Sequence, residues 1–333
     1  GHRGDARQRA ELLGRVALDG RRVAGNAALE RNRTRSSLER EIAEILAEAE
    51  QLDAAEDEQY GPDQRGDELP KELRTRSERL RRLKQGLERL TEQAEKARSE
   101  QAERIRTREE EEQRAGRKKR GRKPKPPEAV VDADQKANTT DPDSRVMKTR
   151  KGWVQGYNGQ AAVDCESQVI VAQAVTQEEV DYGQLGPMLA CCKAQAGQRP
   201  AQCLADAGYW SEANAALQDD ETELFIATTK DWKQRKALRE EPPPSGRIPR
   251  DLPPRERMER KLRTKRGRAI YPQRAATVEP VFGQMEGRGL NRFLMRGHAK
   301  AAGEWALWCI THDLLKLWRS AWRPTRRLGF AGV

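Results

Sequence analysis

The chain has 333 residues, with 64 Lys and Arg against 53 Asp and Glu, so its formal net charge is +11. Apolar residues make up only 35% of it, which is thin for a chain that is globular throughout. No apolar run approaches the length of a membrane span, so we expect no membrane segment and a polyanion as the natural partner.

Five cysteines lie in apolar segments and lack the spacing of metal ligands. We therefore expect reduced, buried thiols, which are typical of a cytoplasmic protein. No signal peptide is visible in the sequence.

The first ordered element is predicted at 15–24, where apolar residues flank Asp19 on both sides. We interpret it as a strand that carries Asp19 near its middle. The Asp19-Gly20 pair allows a tight hairpin as the alternative, because Asp-Gly is a strong turn signal.

Two helices are predicted next, at 37–52 and from about 72 to 109, with leucines in a three-four spacing. They indicate an antiparallel helical hairpin or a dimerising arm. The stretch 117–127 is basic and contains proline, which favours a linker that follows DNA phosphates or a plain charged linker.

A β-hairpin is predicted from 153–163 and 168–175, joined by a polar turn that begins at Asp164. A helix at 182–196, a strand that ends at Asp206 and a strand at 223–228 follow. We expect an irregular, charged insertion at 231–258. The apolar residues of the last helix, 301–318, cover most of its circumference, which predicts a core helix.

Asp206 follows a short apolar run, Cys203-Leu204-Ala205, and precedes a turn. The stretch by itself favours a helix cap. In an open α/β sheet, however, the carboxyl edge of the strands is where ligands usually bind.

With the two long helices set aside, the order of elements matches an RNase H-like fold. We therefore predict an α/β protein with a mixed sheet flanked by helices and an inserted helical hairpin or coiled-coil arm. The predicted boundaries are 1–30 for the first strand of the core, 31–115 for the insertion, 116–137 for the linker, 138–322 for the remaining core and 323–333 for a tail.

Three carboxylates occupy distinct places in this order: Asp19 within a strand, Asp206 at a strand end and Glu279 on a late helix. Such a cluster cannot stay ionised at close range without cations. Two Mg²⁺ ions would neutralise it and hold the attacking and leaving oxygens of a phosphodiester, and Mn²⁺ could substitute for them.

Several motifs resemble bacterial insertion-sequence DDE transposases of the subgroup with a charged helical insertion after the first catalytic Asp. They are Leu18-Asp19-Gly20, Tyr157-Asn158-Gly159-Gln160, Ala205-Asp206-Ala207-Gly208-Tyr209, Thr277-Val278-Glu279-Pro280 and Gly303-Glu304-Trp305. The resemblance implies that Asp19, Asp206 and Glu279 are the catalytic and metal-binding triad. It also implies that Tyr271 and Arg274 are the Tyr and Arg that precede the Glu.

The chain departs from this family at two points. Glu286 stands where a Lys or Arg is usual, with Arg288 nearby as a substitute, and only eighteen residues precede Asp19 where a helical DNA-recognition region is usual. The basic residues before Tyr271 are either phosphate contacts or a solvated charge run. The candidate DNA contacts are therefore Arg263, Lys265, Arg266 and Arg268, together with Tyr271, Arg274 and Arg288.

The resemblance implies a DNA transposase that cuts DNA and joins its ends to a target, acting as a homo-oligomer on DNA in the bacterial cytoplasm, at the nucleoid. Two alternatives stay open: a truncated or decayed transposase that binds DNA without cutting, and a coiled-coil scaffold. Asp164 is a rival for the place of Asp19, and we expect it to lie apart, in the hairpin turn.

Overall fold

The computed structural model describes residues 13–60, 71–119, 121–130, 134–249 and 251–321. The chain forms two compact units, one from Gly1–Gly25 with Met147–Val333 and one from Asn26–Val146. The predicted tail and most of the predicted break between the two long helices lie outside the described residues.

The strands, in chain order, are β1 (Arg15–Ala24), β2 (Asn32–Thr34), β3 (Lys136–Asn138), β4 (Arg145–Thr149), β5 (Gly152–Asp164), β6 (Ile170–Thr176), β7 (Gln202–Ala205) and β8 (Glu223–Ile226). The α-helices are α1 (Arg35–Tyr60), α2 (Lys71–Ala115), α3 (Leu185–Ala196), α4 (Glu212–Ala215), α5 (Asp231–Glu240), α6 (Pro254–Arg263), α7 (Lys265–Ile270), α8 (Gln273–Gly287) and α9 (His298–Ala321).

The first unit is built on a mixed sheet in the order β4-β5-β1-β7-β8, with β6 also paired to β5. Strand β1 is central: it runs antiparallel to β5 and parallel to β7, which in turn is parallel to β8. The prediction of a mixed sheet flanked by helices is confirmed.

Helices cover both faces of this sheet because side chains alternate along each strand. On β1, Val16 and Leu18 belong to one buried cluster, which includes residues of α3, α6 and α7. Ala17 and Val23 belong to a second cluster, which includes residues of α8 and α9. Asp19 has the parity of Ala17 and therefore faces the α8 side.

Strand β1 runs without interruption through the Asp19-Gly20 pair, which lies opposite Ala161 and Gln160 of β5. A hairpin at this point, the alternative interpretation of the sequence, is therefore absent. Pairing on both sides of β1 fixes it as a strand, and this outweighs the turn preference of Asp-Gly.

The stretch 231–258 is not the irregular insertion that we predicted, because it contains α5 and half of α6. Its prolines lie between these helices or at the first turn of α6, where proline is tolerated. Leu238, Met258 and Leu262 of the two helices are buried in the core.

Helix α9 is core on one side only, so the prediction of an all-round buried helix is wrong. Trp305, Cys309 and His312 are buried. An apolar stripe on the opposite side stays exposed among the described residues. We call it the α9 stripe, and its members are Leu307, Ile310, Leu314, Leu317 and Trp318.

In the second unit, α1 and α2 pack through a small apolar cluster that includes Leu38, Leu83 and Leu90. Ion pairs join Glu41 to Arg79 at 3.2 Å and Glu48 to Arg76 at 3.8 Å. Later α1 residues meet earlier α2 residues, so the two helices are antiparallel. At the end of the predicted linker, β3 pairs with β2. In the described part of the chain, no helix is apolar and long enough to cross a membrane.

Glycine at 156 is required by the close approach of β5 to β1. A Cβ at this position would overlap the Val23 carbonyl oxygen and lie 2.9 Å from Ala24 Cα. We expect Gly156→Ala to lower the free energy of unfolding by about 3 kcal/mol, because backbone atoms must shift. Chemical denaturation measures this change.

The matched control is Gly303→Ala on α9, where nothing lies within 4 Å of an added Cβ. This change should be neutral or should stabilise the helix by up to about 1 kcal/mol. Equal free energies of unfolding for the two variants would contradict the register of β1 and β5.

Candidate active site

Asp19 and Asp206 lie side by side at the carboxyl edge of two parallel strands. Leu18 is paired with Ala205, the last residue of β7, so the next residues on the two strands are these aspartates. Neighbouring strands lie about 4.8 Å apart, which brings two carboxylates to one place. The negative charge of Asp206 contributes to raising the pKa of Asp19.

The Asp19 carboxylate is enclosed but keeps 21% of its side-chain surface exposed. The Gly20 backbone N–H donates to it at 2.9 Å, and the buried Arg274 guanidinium of α8 donates at 3.2 Å. Burial is the largest influence and raises the pKa of Asp19 from 3.8 to about 7, although Arg274 opposes the rise.

Asp206 caps a short 3₁₀ turn, Ala207–Tyr209, and its carboxylate accepts a hydrogen bond from the Gly208 N–H at 2.8 Å. The cap of α4 is a different residue, Ser211, which accepts from the Asn214 N–H at 3.0 Å. The interpretation of Asp206 as the cap of the following helix is therefore wrong: it caps the intervening 3₁₀ turn and is also an acid at the end of β7.

A further carboxylate, Asp181, belongs to this edge and was missed in the sequence. It follows β6 and accepts hydrogen bonds from Asn158 at 2.7 Å, Gln160 at 2.9 Å and Arg22 at 2.9 Å. Its charge also raises the pKa of Asp19. The sequence held one signal of such an acid: Asn158 and Gln160 lie two residues apart on a strand of the core. Buried amides need polar partners, so a partner for them was to be expected.

Gln160, which donates to Asp181, also accepts hydrogen bonds from two aromatic side chains. The Tyr209 hydroxyl donates to its side-chain oxygen, and the Trp305 indole N–H donates to its backbone oxygen at 3.1 Å. Burial and then the charges of Asp181, Asp19 and Asp206 raise the pKa of Tyr209 well above 10, so it stays a neutral donor. Gly20 leaves the space for this network, since a Cβ there would overlap Gln160 and Asp181.

Helix α8 carries Arg274 and Glu279, whereas Tyr271 belongs to the buried cluster on the opposite face of the sheet. Tyr271, just before it, and Arg274 within it are buried, and Arg274 contacts Asp19. Glu279 is exposed, and within the described residues it makes no hydrogen bond or ion pair. The structure thus brings Arg274 to Asp19, while Glu279 lies further along α8 with an exposed side chain.

The basic residues before Tyr271 are mostly engaged within the chain. Arg266 donates to both oxygens of Glu223 at 2.6 Å, Arg263 is paired with Glu241, and Arg268 donates to backbone carbonyls that include that of Leu238. Lys265 is exposed.

At the end of α8, Glu286 pairs with Arg21 of β1 at 2.8 Å. The next residue but one, Arg288, forms the helix cap through its backbone N–H. The acid at 286 therefore neutralises a cation two residues after Asp19.

Asp164 lies at the other end of the β1–β5 pairing, opposite Val16. Its carboxylate accepts from the backbone N–H and the hydroxyl of Ser167, at 2.7 and 2.6 Å. It stabilises the turn between β5 and β6, and it lies three residues along β5 from Ala161, the partner of Asp19.

The donor chemistry of the edge suits a hard divalent cation, although in the described residues no three acids, imidazoles or thiols form a metal-holding group. Asp19 and Asp206 provide carboxylate oxygens, which Mg²⁺ and Mn²⁺ prefer. A cation between them would offset the repulsion and the burial that raise the pKa of Asp19. One oxygen of Asp19 is already occupied by Arg274.

Residues 250–318 match the family model described as transposase DDE domain. This match supports a DDE transposase of the insertion-sequence type. The matched segment contains α6, α7, α8 and most of α9, and therefore Arg274 and Glu279. No curated protein and no solved structure matches the chain.

Proposed function

We propose that this chain is a DDE transposase that cleaves DNA in a metal-dependent reaction and transfers the resulting 3′ end to a target, with Asp19, Asp206 and Glu279 as its catalytic acids. The observation that carries the proposal is the pair of aspartates at adjacent positions on parallel strands, next to a helix from the matched family segment. DDE transposases generally use divalent metal ions, so Mg²⁺ is the proposed cofactor, as two ions, with Mn²⁺ as a substitute.

The fold proposal is an RNase H-like core in which residues 31–115 are an inserted helical arm and 116–137 a linker. Its support is that the first strand is central and lies next to the strand that carries the second acid. The chain also leaves the sheet after Gly25 and returns at Met147, on either side of the second unit.

Each residue at the edge has a distinct proposed role. Asp19 and Asp206 would hold the metal ions, which supply charge neutralisation to a phosphodiester and activate the attacking oxygen. Arg274 favours the ionised form of the Asp19 carboxylate and orients it through its 3.2 Å contact. Glu279 completes the set from α8 when DNA is bound. Asp181, through Asn158 and Gln160, fixes the strands around the site.

In the proposed reaction, a water oxygen attacks phosphorus in line and the 3′-hydroxyl of the DNA leaves. That hydroxyl then attacks a phosphodiester of the target and displaces the 3′ oxygen of the target strand, with no covalent bond to the protein. Nicking of supercoiled plasmid in the presence of Mg²⁺ or Mn²⁺ tests the proposal, and EDTA should abolish it. An intact plasmid under all of these conditions would contradict it.

The alternative, a transposase remnant that binds DNA without cutting, is favoured by two observations. In the described part of the chain Glu279 makes no hydrogen bond or ion pair, and Glu286 carries a negative charge beside Arg21. Salt-sensitive DNA binding without nicking would support this alternative.

We also propose that the chain acts on DNA as a homo-oligomer. The α9 stripe supports this, because three- and four-residue steps between its apolar side chains are the spacing of a helix–helix seam. Leu314 is 60% exposed, and its neighbours in the stripe are exposed as well. A continuous exposed apolar patch of this kind is unusual on a soluble monomer.

Leu314→Lys should therefore shift the assembly toward monomers, because a charge would have to be buried in the seam. Sedimentation equilibrium with and without DNA measures this shift. The matched control is Leu294→Lys, at a leucine with 65% exposure that lies outside the stripe. An unchanged mass distribution for Leu314→Lys would contradict the role of the stripe.

A further inference from the structure

The β4–β5 hairpin extends far beyond the strand edge that carries the aspartates. Strand β7 ends at Ala205, beside Leu18, whereas β5 continues in the same direction past Ala161, the partner of Asp19, to Gly152. Nine residues of strand at about 3.4 Å each place the hairpin tip roughly 30 Å beyond Asp19.

The tip of this hairpin is basic and aromatic. The chain has four Lys or Arg and no Asp or Glu between residues 145 and 163. Lys148, Arg150 and Lys151 are exposed, and in the described part of the chain Arg150 and Lys151 form no ion pair. Trp153 is 56% exposed, and the Lys148 ammonium lies 5.8 Å from its ring centre. An exposed Trp among cations contributes little to a core, but it suits contact with bases and phosphates.

A further cation lies between the tip and the aspartates. The backbone of Arg292 forms an isolated parallel β-bridge with Ala24 of β1. The next residue, Phe293, donates its N–H to the Ala24 carbonyl at 2.7 Å. Arg292 is exposed and lies about 17 Å beyond Asp19 along the strand direction. Cations therefore follow the direction of the hairpin away from the proposed site.

We propose that the β4–β5 hairpin is a DNA-docking finger that holds the duplex flanking the cleaved phosphate, about nine base pairs from it. The distance follows from roughly 30 Å at about 3.4 Å per base pair. A two-stranded ribbon fits the DNA major groove, so Arg150 and Lys151 can contact phosphates while Trp153 lies in the groove. The inference rests on the proposed function, because the distance is measured from the proposed cleavage site.

The charge of the finger is tested by DNA binding without divalent metal, so that cleavage plays no part. Fluorescence anisotropy of the full chain with a random-sequence 30-base-pair duplex compares the wild type, Lys151→Glu and Arg292→Glu. Each variant should weaken binding roughly tenfold at moderate salt and reduce the slope of log affinity against log salt by about one.

The matched control is Lys193→Glu, which makes the same change in net charge. Lys193 is exposed near the end of α3, from which the chain enters β7 at the opposite edge of the sheet. The DNA affinity of Lys193→Glu, and the slope of its log affinity against log salt, should equal those of the wild type. If Lys151→Glu and Arg292→Glu bind like this control, the finger is overturned while the proposed function stands. If the wild type binds no DNA, both are overturned.

Trp153 offers a second, independent measurement. DNA should quench part of the tryptophan fluorescence of the wild type and a smaller part of that of Trp153→Phe, which removes the exposed indole but keeps an aromatic ring. Equal quenching in the two proteins would overturn the placement of Trp153 against DNA.

Discussion

Asp206→Asn should reduce plasmid nicking by at least about a thousandfold while leaving DNA binding intact. Losing one metal-holding carboxylate removes several kcal/mol of transition-state stabilisation, and about 4 kcal/mol corresponds to this factor. The fold should survive, because the Asn amide oxygen can still accept from the Gly208 N–H. Asp19→Asn should have the same effect on nicking.

Asp164→Asn is the matched control, because it makes the same chemical change on a strand of the same sheet. Its carboxylate holds the β5–β6 turn through Ser167, so the expected cost is in stability and not in chemistry. A nicking rate that falls equally in Asp164→Asn and Asp206→Asn, with both proteins folded, would argue against the assignment of the acids.

Divalent cations should raise the melting temperature of the wild type, and this gain should increase between pH 6 and pH 8. The pKa of Asp19 is about 7 in the folded chain against 3.8 ordinarily, so protons compete with a cation for its carboxylate below pH 7. Thermal unfolding with millimolar Mn²⁺ measures the gain, which Asp206→Asn should lack.

The same pKa predicts how stability without metal depends on pH. Because the folded chain binds the Asp19 proton more tightly than the unfolded chain, stability is lost as pH rises from about 4 to 7. The contribution is up to about 4 kcal/mol. Asp19→Asn, which cannot ionise, should lose less stability over this range. A parallel pH dependence in the two proteins would contradict the burial of the Asp19 charge.

The two strands that carry Asp19 and Asp206 could be predicted because their signals are local. Apolar residues on both sides of Asp19 and the run that ends at Asp206 each indicate a strand, and two parallel strands bring their ends together. Asp181 could not be predicted in this way. It lies in a polar turn, and its role depends on Asn158 and Gln160, which reach it only through tertiary packing.

The prediction for α9 fell short for a similar reason, and the DNA contacts stay a prediction. Apolar residues around a helix indicate burial only if every face is covered, and among the described residues the α9 stripe stays exposed. A basic run indicates DNA contact only if its charges are not used internally, and Arg266 is held by Glu223. Neither condition can be determined from the sequence.

The most direct test of the proposed acid set is to map the protein backbone around its metal. Fe²⁺ in place of Mg²⁺, with ascorbate and peroxide, generates hydroxyl radicals that cut the chain close to the bound ion. With DNA present, we expect cuts near residues 19, 206 and 279, competed by Mg²⁺ and lost in Asp206→Asn. Cuts centred on residue 164, or none that Mg²⁺ suppresses, would contradict the account.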